Sequence, residues 1–301
     1  MHLRLKTYLQ SPIGIWCRLQ RDVPCLLKGT SYYESCRGKD CLPQLPVPND
    51  EVIRAYWASR QHPASAVMYT CITGGYDSVS RIACPSAVCL DCDYVCFTDS
   101  ERDVKTGRIG VWSIRPLSFD RLDNTRNNRW HKTHPHLLFP EYEGSIYIDA
   151  NINILKTEFV DTMRSSPRKM AIPKHPLRNC IYDEYANAFA EFMDSPKAMW
   201  QELRMIRRSG MPRHYGLTEN NILYRKHGDA EVIAIMEEWW DTISRYSRRD
   251  QLSLAWILWK HGISMSAVSF PHWYDAPDTY CVLPHERRLA LQGETVSASV
   301  P

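Results

Sequence analysis

The chain has 301 residues, of which 44% are hydrophobic and 24% are charged, and its formal net charge is +3. These values are ordinary for a globular protein with a sizeable core, and they exclude an intrinsically disordered chain. The charge is too small to indicate binding to nucleic acid. Because we find neither an uncharged apolar run of about 18 residues nor the apolar segment of a signal peptide, we expect no transmembrane segment. We predict a cytoplasmic protein and leave a peripheral association with a membrane open.

The first 65 residues are predicted to form an N-terminal arm. Within it, "CLPQLPVPND", residues 41–50, contains three prolines, which favour an extended linker. The next segment, "DEVIRAYWASRQ", has the pattern of a short amphipathic helix capped by Asn49 or Asp50. We place the main domain at residues 66–285 and a C-terminal tail at residues 286–301.

The main domain alternates strand and helix patterns. Four buried strands are predicted, in "AVMYTCITGGYDS", "DYVCFTDS", "IGVWSIRPL" and "GSIYIDANI". A helix precedes the fourth, in "DNTRNNRWHKTHPHLLF", and ends near Pro135. Two shorter strands, "RKMAIPKHP" and "NNILYRKH", enclose helices that are interrupted near Pro196 and end at Gly210. Since two further helices follow in residues 229–263, the alternation predicts an α/β layered domain with a mostly parallel sheet.

Eleven cysteines, an odd number in a long chain, argue against a secreted disulfide framework. Four lie close together in the sequence, at Cys84, Cys89, Cys92 and Cys96. Thiolates at short spacing bind zinc or iron–sulfur clusters, but structural zinc sites use paired short spacings. Because the last two flank and enter the strand-like "DYVCF", we interpret the group as small core residues rather than a metal site.

Polar or flexible residues follow three of the predicted strands: Thr73-Gly74-Gly75-Tyr76-Asp77, Thr98-Asp99-Ser100 and Asp149-Ala150-Asn151. Ligands of parallel α/β sheets bind at the carboxyl ends of the strands, although ordinary turns have the same composition. Asp149 and Asn151 point to the same side of an extended backbone, where two oxygens suit Mg²⁺ or Mn²⁺. Such an ion would neutralise a departing nucleoside diphosphate. The structural alternative is that Asp149 caps a turn and Asn151 pairs with the backbone.

The segment "SIYIDANINIL" resembles the Asp-x-Asp segment of GT-A nucleotide-sugar glycosyltransferases, in particular glycosyltransferase family 8. The wider pattern resembles the hexosyltransferase-like domain of plant mucilage-synthesis proteins and their bacterial relatives. It comprises, in the same order, "YTCITGGYDS", "DYVCFTDS", "RNNRWHKTHPHLLFPEYEGSIYIDANI" and "HPLRNCIYDE". The resemblance covers about residues 67–275 and implies a GT-A-like, Rossmann-like α/β/α fold.

The resemblance implies roles for individual residues. The donor-binding residues would be Thr73, Gly74, Tyr76, Asp77, Asp99, Arg126, Arg129, Lys132, Asp149, Asn151, Arg178 and Gln251. The loop after the first strand and Asp99 would contact the nucleoside, and the cations would hold the diphosphate, although a solvated helix face is the ordinary place for them. The catalytic candidates, contacting the transferred sugar or the acceptor, are His175, Glu219 and Asp250.

The metal prediction has one departure from the Asp-x-Asp pattern. Asn151 replaces an aspartate, which keeps an oxygen ligand but removes a charge, so donor binding without metal stays open. Asp149, Asn151 and a late histidine, His272, are the predicted ligands of Mn²⁺ or Mg²⁺. The alternative for His272 is a loop histidine packed beside Trp273.

The predicted function is transfer of a hexose from a UDP- or GDP-hexose to a glycan or other hydroxyl acceptor, with a role in surface polysaccharide synthesis. One alternative is a non-catalytic nucleotide- or carbohydrate-binding module. Another is a ceramidase-type amidohydrolase, because the resembled family includes a plant protein assigned that activity. The chain has neither a Gly-x-Ser-x-Gly elbow nor a His-Glu-x-x-His zinc motif to support it. The sequence does not indicate the sugar, the stereochemical course, the role of the arm or the oligomeric state.

Overall fold

The computed structural model describes residues 12–26, 46–60, 64–165, 169–272 and 274–286. The chain divides into two compact units. The sheet unit consists of Leu42–Ala171, Asn221–Ile233 and Asp275–Pro301, and the helical unit consists of Met1–Cys41, Ile172–Asn220 and Ala234–Tyr274. Among the helices of the described ranges, none has the length and apolar character that crossing a bilayer requires. Parts of the predicted arm and nearly all of the predicted tail lie outside the described residues.

The sheet unit is built around a fully buried central strand, β1, whose seven residues form a continuous apolar run apart from one threonine. The strand order is β3-β4-β2-β1-β5-β8, followed by the first two residues of β7. Four neighbours, β4, β2, β1 and β5, are parallel, and β3 and β8 are antiparallel to the strands beside them. The bounds are β1 Ala66–Ile72, β2 Cys92–Thr98, β3 Arg108–Ile109, β4 Trp112–Pro116, β5 Gly144–Ile148, β7 Met170–Pro173 and β8 Ile222–Arg225.

The register of these strands brings their carboxyl ends together. Ala66 pairs with Cys92 of β2 on one side and with Gly144 of β5 on the other. The strands run in the same direction from this common start, so the residues after β1, β2 and β5 emerge at one edge of the sheet. The predicted α/β fold with a mostly parallel sheet is therefore confirmed. A separate antiparallel pair joins β6, Ile152–Ile154, to β10, Tyr280–Val282.

Two helices of the sheet unit begin where the sequence predicts, at Asp50 and Asn124, whereas those at Glu101 and Thr157 were not predicted. Asn49 caps α2, since its side-chain oxygen accepts the backbone N–H groups of Glu51 and Val52 at 3.1 Å. Asp123 caps α4 by accepting the N–H of Arg126 at 3.2 Å. Pro135 begins a separate short helix rather than continuing α4. The bounds are α2 Asp50–Ser59, α3 Glu101–Thr106, α4 Asn124–Thr133, α5 Pro135–Leu138 and α6 Thr157–Arg164.

The helical unit contains a helix that the sequence pattern did not reveal. This helix, α1, packs against α7, and its Arg21 pairs with Glu191 at 2.5 Å. A Cβ on Gly14 of α1 would lie 2.8 Å from the Phe189 carbonyl oxygen, so the two backbones approach closely. The last two residues of β7 pair in parallel with β9, Ser269–Phe270. The helix bounds are α1 Pro12–Leu26, α7 Ile181–Ala190, α8 Pro196–Arg208, α9 Ala230–Arg245 (its first turn belongs to the sheet unit), α10 Leu254–Lys260 and α11 Met265–Val268.

Candidate functional site

The loop after β1 is fixed by its glycines and by Asp99. Gly74 and Gly75 both adopt left-handed backbone conformations, at φ +64° and +59°. A Cβ on Gly74 would lie 2.2 Å from Asn124 Nδ2, so there is no room for a side chain. The N–H of Gly74 donates to Asp99 Oδ2 at 2.7 Å, and Thr73 Oγ1 donates to the Asn124 carbonyl oxygen at 2.8 Å. The ends of β1 and β2 are therefore joined by direct contact, and one Asp99 oxygen serves the loop itself.

Lys132 of α4 is a buried cation beside the end of β5. It is 1% exposed, and its Nζ lies 3.6 Å from Asp149 Oδ1, a side chain that is 29% exposed. The ammonium group also lies 4.9 Å from the centroid of the Tyr147 ring. The backbone around it is fixed, because the Lys132 carbonyl oxygen accepts hydrogen bonds from Arg225 Nη1 and from Tyr69 Oη. The structure therefore presents a partly exposed carboxylate held against a rigidly placed positive charge.

The two arginines of α4 are half-buried and engaged in local contacts. Arg126 Nη1 pairs with Asp123 Oδ2 at 2.7 Å, one helical turn away. Arg129 Nη1 donates to Asn128 Oδ1 at 2.6 Å, and Asn128 Nδ2 in turn donates to the Cys71 carbonyl oxygen at the end of β1. These contacts fix the positions of both guanidinium groups beside α4.

Asp149 and Asn151 occupy a turn between β5 and β6. The Asp149 N–H donates to the Asn221 carbonyl oxygen at 2.8 Å, and the Asp149 carbonyl oxygen accepts the N–H of Ile152 at 3.0 Å. Asn151 is buried, and its Nδ2 donates to the Leu283 carbonyl oxygen at 2.8 Å. The Leu283 N–H returns a hydrogen bond to the Asn151 carbonyl oxygen at 2.7 Å. The two predicted ligands thus differ, since Asp149 retains solvent access and Asn151 is covered by residues 283–286, which we call the C-terminal segment.

His285 of this C-terminal segment is a site residue that the sequence analysis missed. Its Nδ1 donates to Asp77 Oδ2 at 2.7 Å, so its Nε2 is left as an acceptor, 3.5 Å from Asn151 Nδ2. Asp77 Oδ1 accepts the Glu286 N–H at 3.0 Å. The Tyr76 ring, predicted to stack on a base, packs against the His285 ring with centroids 4.6 Å apart. The available signal was the position of His285 directly after the strand-like "YCVLP".

Three residues of the sheet unit carry groups of the kind that bind divalent cations. Carboxylate, amide and imidazole groups, here Asp149, Asn151 and His285, are donor types that hard and borderline divalent ions accept. The charge of Asp149 is, however, balanced by the ammonium group of Lys132, so little negative charge is left to attract a cation. An ion held here would need phosphate oxygens of a bound nucleotide as further ligands.

In the helical unit, His175, Arg178 and Glu184 form a buried cluster. The backbone N–H groups of Leu177 and Arg178 donate to His175 Nδ1 at 3.2 and 3.0 Å. Burial, together with the nearby Arg178 and His272, lowers the pKa of His175 to about 3, so the imidazole is neutral at pH 7. Glu184 Oε2 accepts Arg178 Nε at 2.5 Å. Burial nevertheless raises the pKa of Glu184, because desolvation outweighs the attraction of the guanidinium.

Glu219, another predicted catalytic residue, lies beside His272. His272 Nε2 donates to Glu219 Oε2 at 2.7 Å, and the N–H of Tyr274 donates to His272 Nδ1 at 3.2 Å, which fixes the tautomer. The Glu219 side chain is 30% exposed, whereas His272 is buried. The sequence alternative that packs His272 beside Trp273 falls on a residue outside the described ranges.

Asp250 and Gln251 form a short 3₁₀ turn, and their contacts are largely structural. Gln251 Oε1 accepts the N–H of Asn220 at 3.2 Å, and its Nε2 donates to the Thr218 carbonyl oxygen. The Asp250 carbonyl oxygen accepts Trp239 Nε1 at 3.1 Å and Asn220 Nδ2 at 3.2 Å. Both side chains are buried.

A second group of potential metal ligands lies in the helical unit. Potential ligand atoms of Cys180, Asp183 and His214 lie within 4.8 Å of one another. Two of them already have partners, since Arg213 pairs with Asp183 at 2.8 Å and His214 Nδ1 donates to Asn179 Oδ1 at 2.8 Å. Within the described ranges, no comparable set of three histidine, cysteine or acidic ligands includes Cys84, Cys89, Cys92 or Cys96. These four are buried, as the interpretation of them as core residues predicts.

Residues 61–272 match the model of a family described as TOD1/MUCI70, glycosyltransferase-like domain. The comparison with curated proteins finds no match. Among solved structures, the apo bifunctional glycosyltransferase WbbM shares 15% identity with a TM-score of 0.43, over 71% of this chain and 40% of that one. The glycosyltransferase GlyE of Streptococcus pneumoniae TIGR4 shares 11% identity with a TM-score of 0.41, over 71% and 47%. Apo mouse xyloside xylosyltransferase 1 shares 10% with a TM-score of 0.38, over 69% and 84%.

The chain spans less than half the length of the first two of these structures. Similarity at this level says nothing about activity.

Proposed function

Since the chain belongs to the TOD1/MUCI70 glycosyltransferase-like domain family, we propose that it transfers a hexose from a nucleoside-diphosphate hexose to a glycan or other hydroxyl acceptor. The observation that carries the proposal is the pair at the end of β5, where the partly exposed Asp149 carboxylate lies against the buried Lys132 ammonium. A departing diphosphate needs fixed positive charge nearby, and the carboxyl ends of parallel strands are where such ligands bind.

The donor nucleoside is proposed to lie against the loop after β1. At Gly75 the loop is open, since no heavy atom lies within 4 Å of the position that a Cβ would occupy, and Asp99 holds the loop conformation through the Gly74 N–H. Arg126 and Arg129 of α4 supply further positive charge for the diphosphate, in the bidentate form that guanidinium groups offer to phosphate. A preorganised arrangement of this kind stabilises charge as it develops on the leaving group.

A divalent cation, when bound, would neutralise the diphosphate, and Asp149 and Asn151 would hold it. In the helical unit, Glu219 is proposed to accept the proton of the acceptor hydroxyl, because its carboxylate is partly exposed and is oriented by His272. His175 and Asp250 remain candidates for contact with the sugar or the acceptor. Arg178 and Gln251 remain candidates for contact with the donor, and in the structure they contact Glu184 and Thr218.

Nucleotide-dependent thermal stabilisation tests donor binding. A ligand that binds only the folded protein raises its stability with the logarithm of ligand concentration over Kd. We expect UDP or GDP with Mn²⁺ to raise the melting temperature of the native chain and not that of Asp149→Asn, because the variant lacks the carboxylate proposed to hold the cation. Asp278→Asn, which removes an exposed carboxylate of the same unit, is the matched control and is expected to respond like the native chain.

The same titration sets the metal requirement, because a shift that appears only with Mn²⁺ places the cation in the site. Equal shifts for the native chain and Asp149→Asn would remove the basis of the proposal.

A nucleotide-binding module without catalysis is the second candidate. It is favoured by Asn151, whose amide replaces a charged ligand and donates to Leu283. Incubation with nucleotide sugars separates the two functions, because a transferase releases the nucleoside diphosphate by slow donor hydrolysis even without its acceptor. Release by the native chain and not by Glu219→Gln would support transfer, and nucleotide binding without release from any donor would support the module.

A further inference from the structure

Cys89 and Cys92 lie in a tight turn of the sheet unit, directly before and at the start of β2. The Cys92 N–H donates to the Cys89 carbonyl oxygen at 3.3 Å, which closes a four-residue turn with one cysteine at each end. The ends of such a turn lie less than about 7 Å apart between Cα atoms, which is compatible with the Cα separation of a disulfide.

The surroundings of Cys89 favour its thiolate. Arg164 Nη1 lies 3.9 Å from Cys89 Sγ, as a hydrogen-bond donor to the sulfur. Arg164 is held in place by an ion pair with Asp91 at 2.5 Å, and the Cys89 backbone N–H donates to Tyr94 Oη at 2.9 Å. The fixed guanidinium therefore faces the sulfur with its positive charge.

The two thiols differ in protonation. The hydrogen bond from Cys92, supported by Arg164, lowers the pKa of Cys89 to about 7, while the same interaction and burial raise the pKa of Cys92. Burial raises the pKa of Cys84, in the same loop, and that of Cys71. Cys89 is 6% exposed and Cys92 is fully buried, so a small reagent meets Cys89 first.

We infer that Cys89 and Cys92 form a dithiol that hydroperoxides oxidise to a disulfide, with Cys89 as the attacking thiol and Cys92 as the resolving thiol. In the first step, the Cys89 thiolate attacks one oxygen of hydrogen peroxide. The O–O bond breaks, Cys89 becomes a sulfenic acid, and hydroxide leaves. In the second step, the Cys92 sulfur attacks the Cys89 sulfur, an S–S bond forms, and the Cys92 proton leaves with the sulfenic hydroxyl as water. The dithiol loses two electrons, which the peroxide gains, and an external thiol reverses the reaction by exchange.

This role differs from both interpretations that the sequence analysis considered for these cysteines, a metal site and small core residues. A zinc site would need further ligands, and the described cysteines of this group do not bring a third one together. A purely structural role for Cys89 does not account for the guanidinium of Arg164 beside its sulfur.

The experiment treats the full-length native chain with a stoichiometric amount of hydrogen peroxide at pH 7 and maps the cysteine products by mass spectrometry of peptides. We expect a peptide cross-linked between Cys89 and Cys92, formed at least about tenfold faster than oxidation of Cys84, because roughly half of the Cys89 thiol is ionised at this pH. In Cys92→Ser, a sulfenic-acid trap should label Cys89. In Cys89→Ser, the cross-link and the fast reaction should both disappear.

Cys84→Ser is the matched control, since it removes a buried thiol of the same loop, and it should leave the cross-link unchanged. Arg164→Met should shift the pH midpoint of Cys89 alkylation upward and slow the reaction with peroxide. Circular dichroism checks that each variant is folded. Oxidation of Cys89 no faster than that of Cys84, or sulfenic acid accumulating at Cys89 in the native chain without a cross-link to Cys92, would overturn the inference.

Discussion

Asp149 of the sheet unit and Glu184 of the helical unit are both carboxylates paired with a cation, but their exposures are reversed. Asp149 is 29% exposed and faces a fully buried Lys132 at 3.6 Å. Glu184 is 3% exposed and faces the more accessible Arg178 at 2.5 Å. A carboxylate that keeps solvent access can exchange water for a ligand, whereas a buried one serves mainly to satisfy its partner. The difference supports the proposal that the first pair binds a ligand, and it favours a structural role for the second.

Arg178→Met is the strongest test of the structural assignment. It leaves the Glu184 carboxylate buried without its cation, and we expect the free energy of unfolding to fall by about 3–5 kcal/mol, as for other buried ion pairs broken on one side. Urea denaturation measures this. The double variant Arg178→Met/Glu184→Gln should regain part of the loss, because it also removes the uncompensated acid. A loss of unfolding free energy below about 1 kcal/mol would mean that the Arg178–Glu184 pair contributes no more than a surface ion pair, and the difference from the Asp149–Lys132 pair would not hold.

The dependence of stability on pH tests the same cluster through the protonation of His175. Its pKa is about 3 in the folded protein and near 6.5 in the unfolded chain, so the unfolded state binds the proton first as pH falls. The stabilisation is complete above pH 6.5 and is lost between pH 6.5 and about 3. By pH 5, the loss of unfolding free energy from this group should amount to about 2 kcal/mol. We expect His175→Gln to lose less unfolding free energy between pH 7 and pH 5 than the native chain. Parallel losses would mean that His175 titrates normally in the fold.

In the sheet unit, the loop after β1 offers a matched pair of variants, at Gly74 and Gly75. Gly75→Ala adds a Cβ into open space at a left-handed position, and it should cost about 1 kcal/mol of backbone strain. Gly74→Ala meets the Asn124 side chain as well and should cost about 1 kcal/mol more, as the loop shifts away from Asp99. Urea denaturation gives both values, and nucleotide-dependent melting should weaken more for Gly74→Ala. Equal effects would show that Asn124 moves aside freely.

Asp149→Asn should have the smallest effect on stability. Its amide oxygen can remain beside Lys132, and solvent screens the charge that is lost, so we expect the free energy of unfolding to change by less than about 1 kcal/mol. Urea denaturation without nucleotide measures this, while the stabilisation by nucleotide with Mn²⁺ is expected to disappear. A loss above about 2 kcal/mol would make Asp149 a structural residue of the same kind as Glu184.

The strands and most helices follow from the sequence because their signals are local. The apolar run of β1 and the Asn49 cap of α2 both lie within a few residues of the element that they define. Helix α1 was not predicted, although its residues are about as amphipathic as those of α2, and its Trp16 and Leu19 are exposed to solvent.

The candidate site divides in the same way. Asp149, Asn151 and the loop after β1 could be predicted to lie at one edge of the sheet because the ends of strands can be recognised in the sequence. The burial of Lys132 and the contact of His285 with Asn151 depend on pairings between distant residues, which a single sequence does not reveal.

The C-terminal segment has a consequence for the order in which the protein matures. Asp77 contacts His285, which lies 208 positions later in the sequence, and Asn151 contacts Leu283, which lies 132 positions later. A ribosome adding about 5–20 residues per second would expose β1, β2 and β5 well before these partners exist. The nascent polypeptide can therefore pair its parallel strands early, but the turn carrying Asn151 acquires its cover only when translation has passed residue 285.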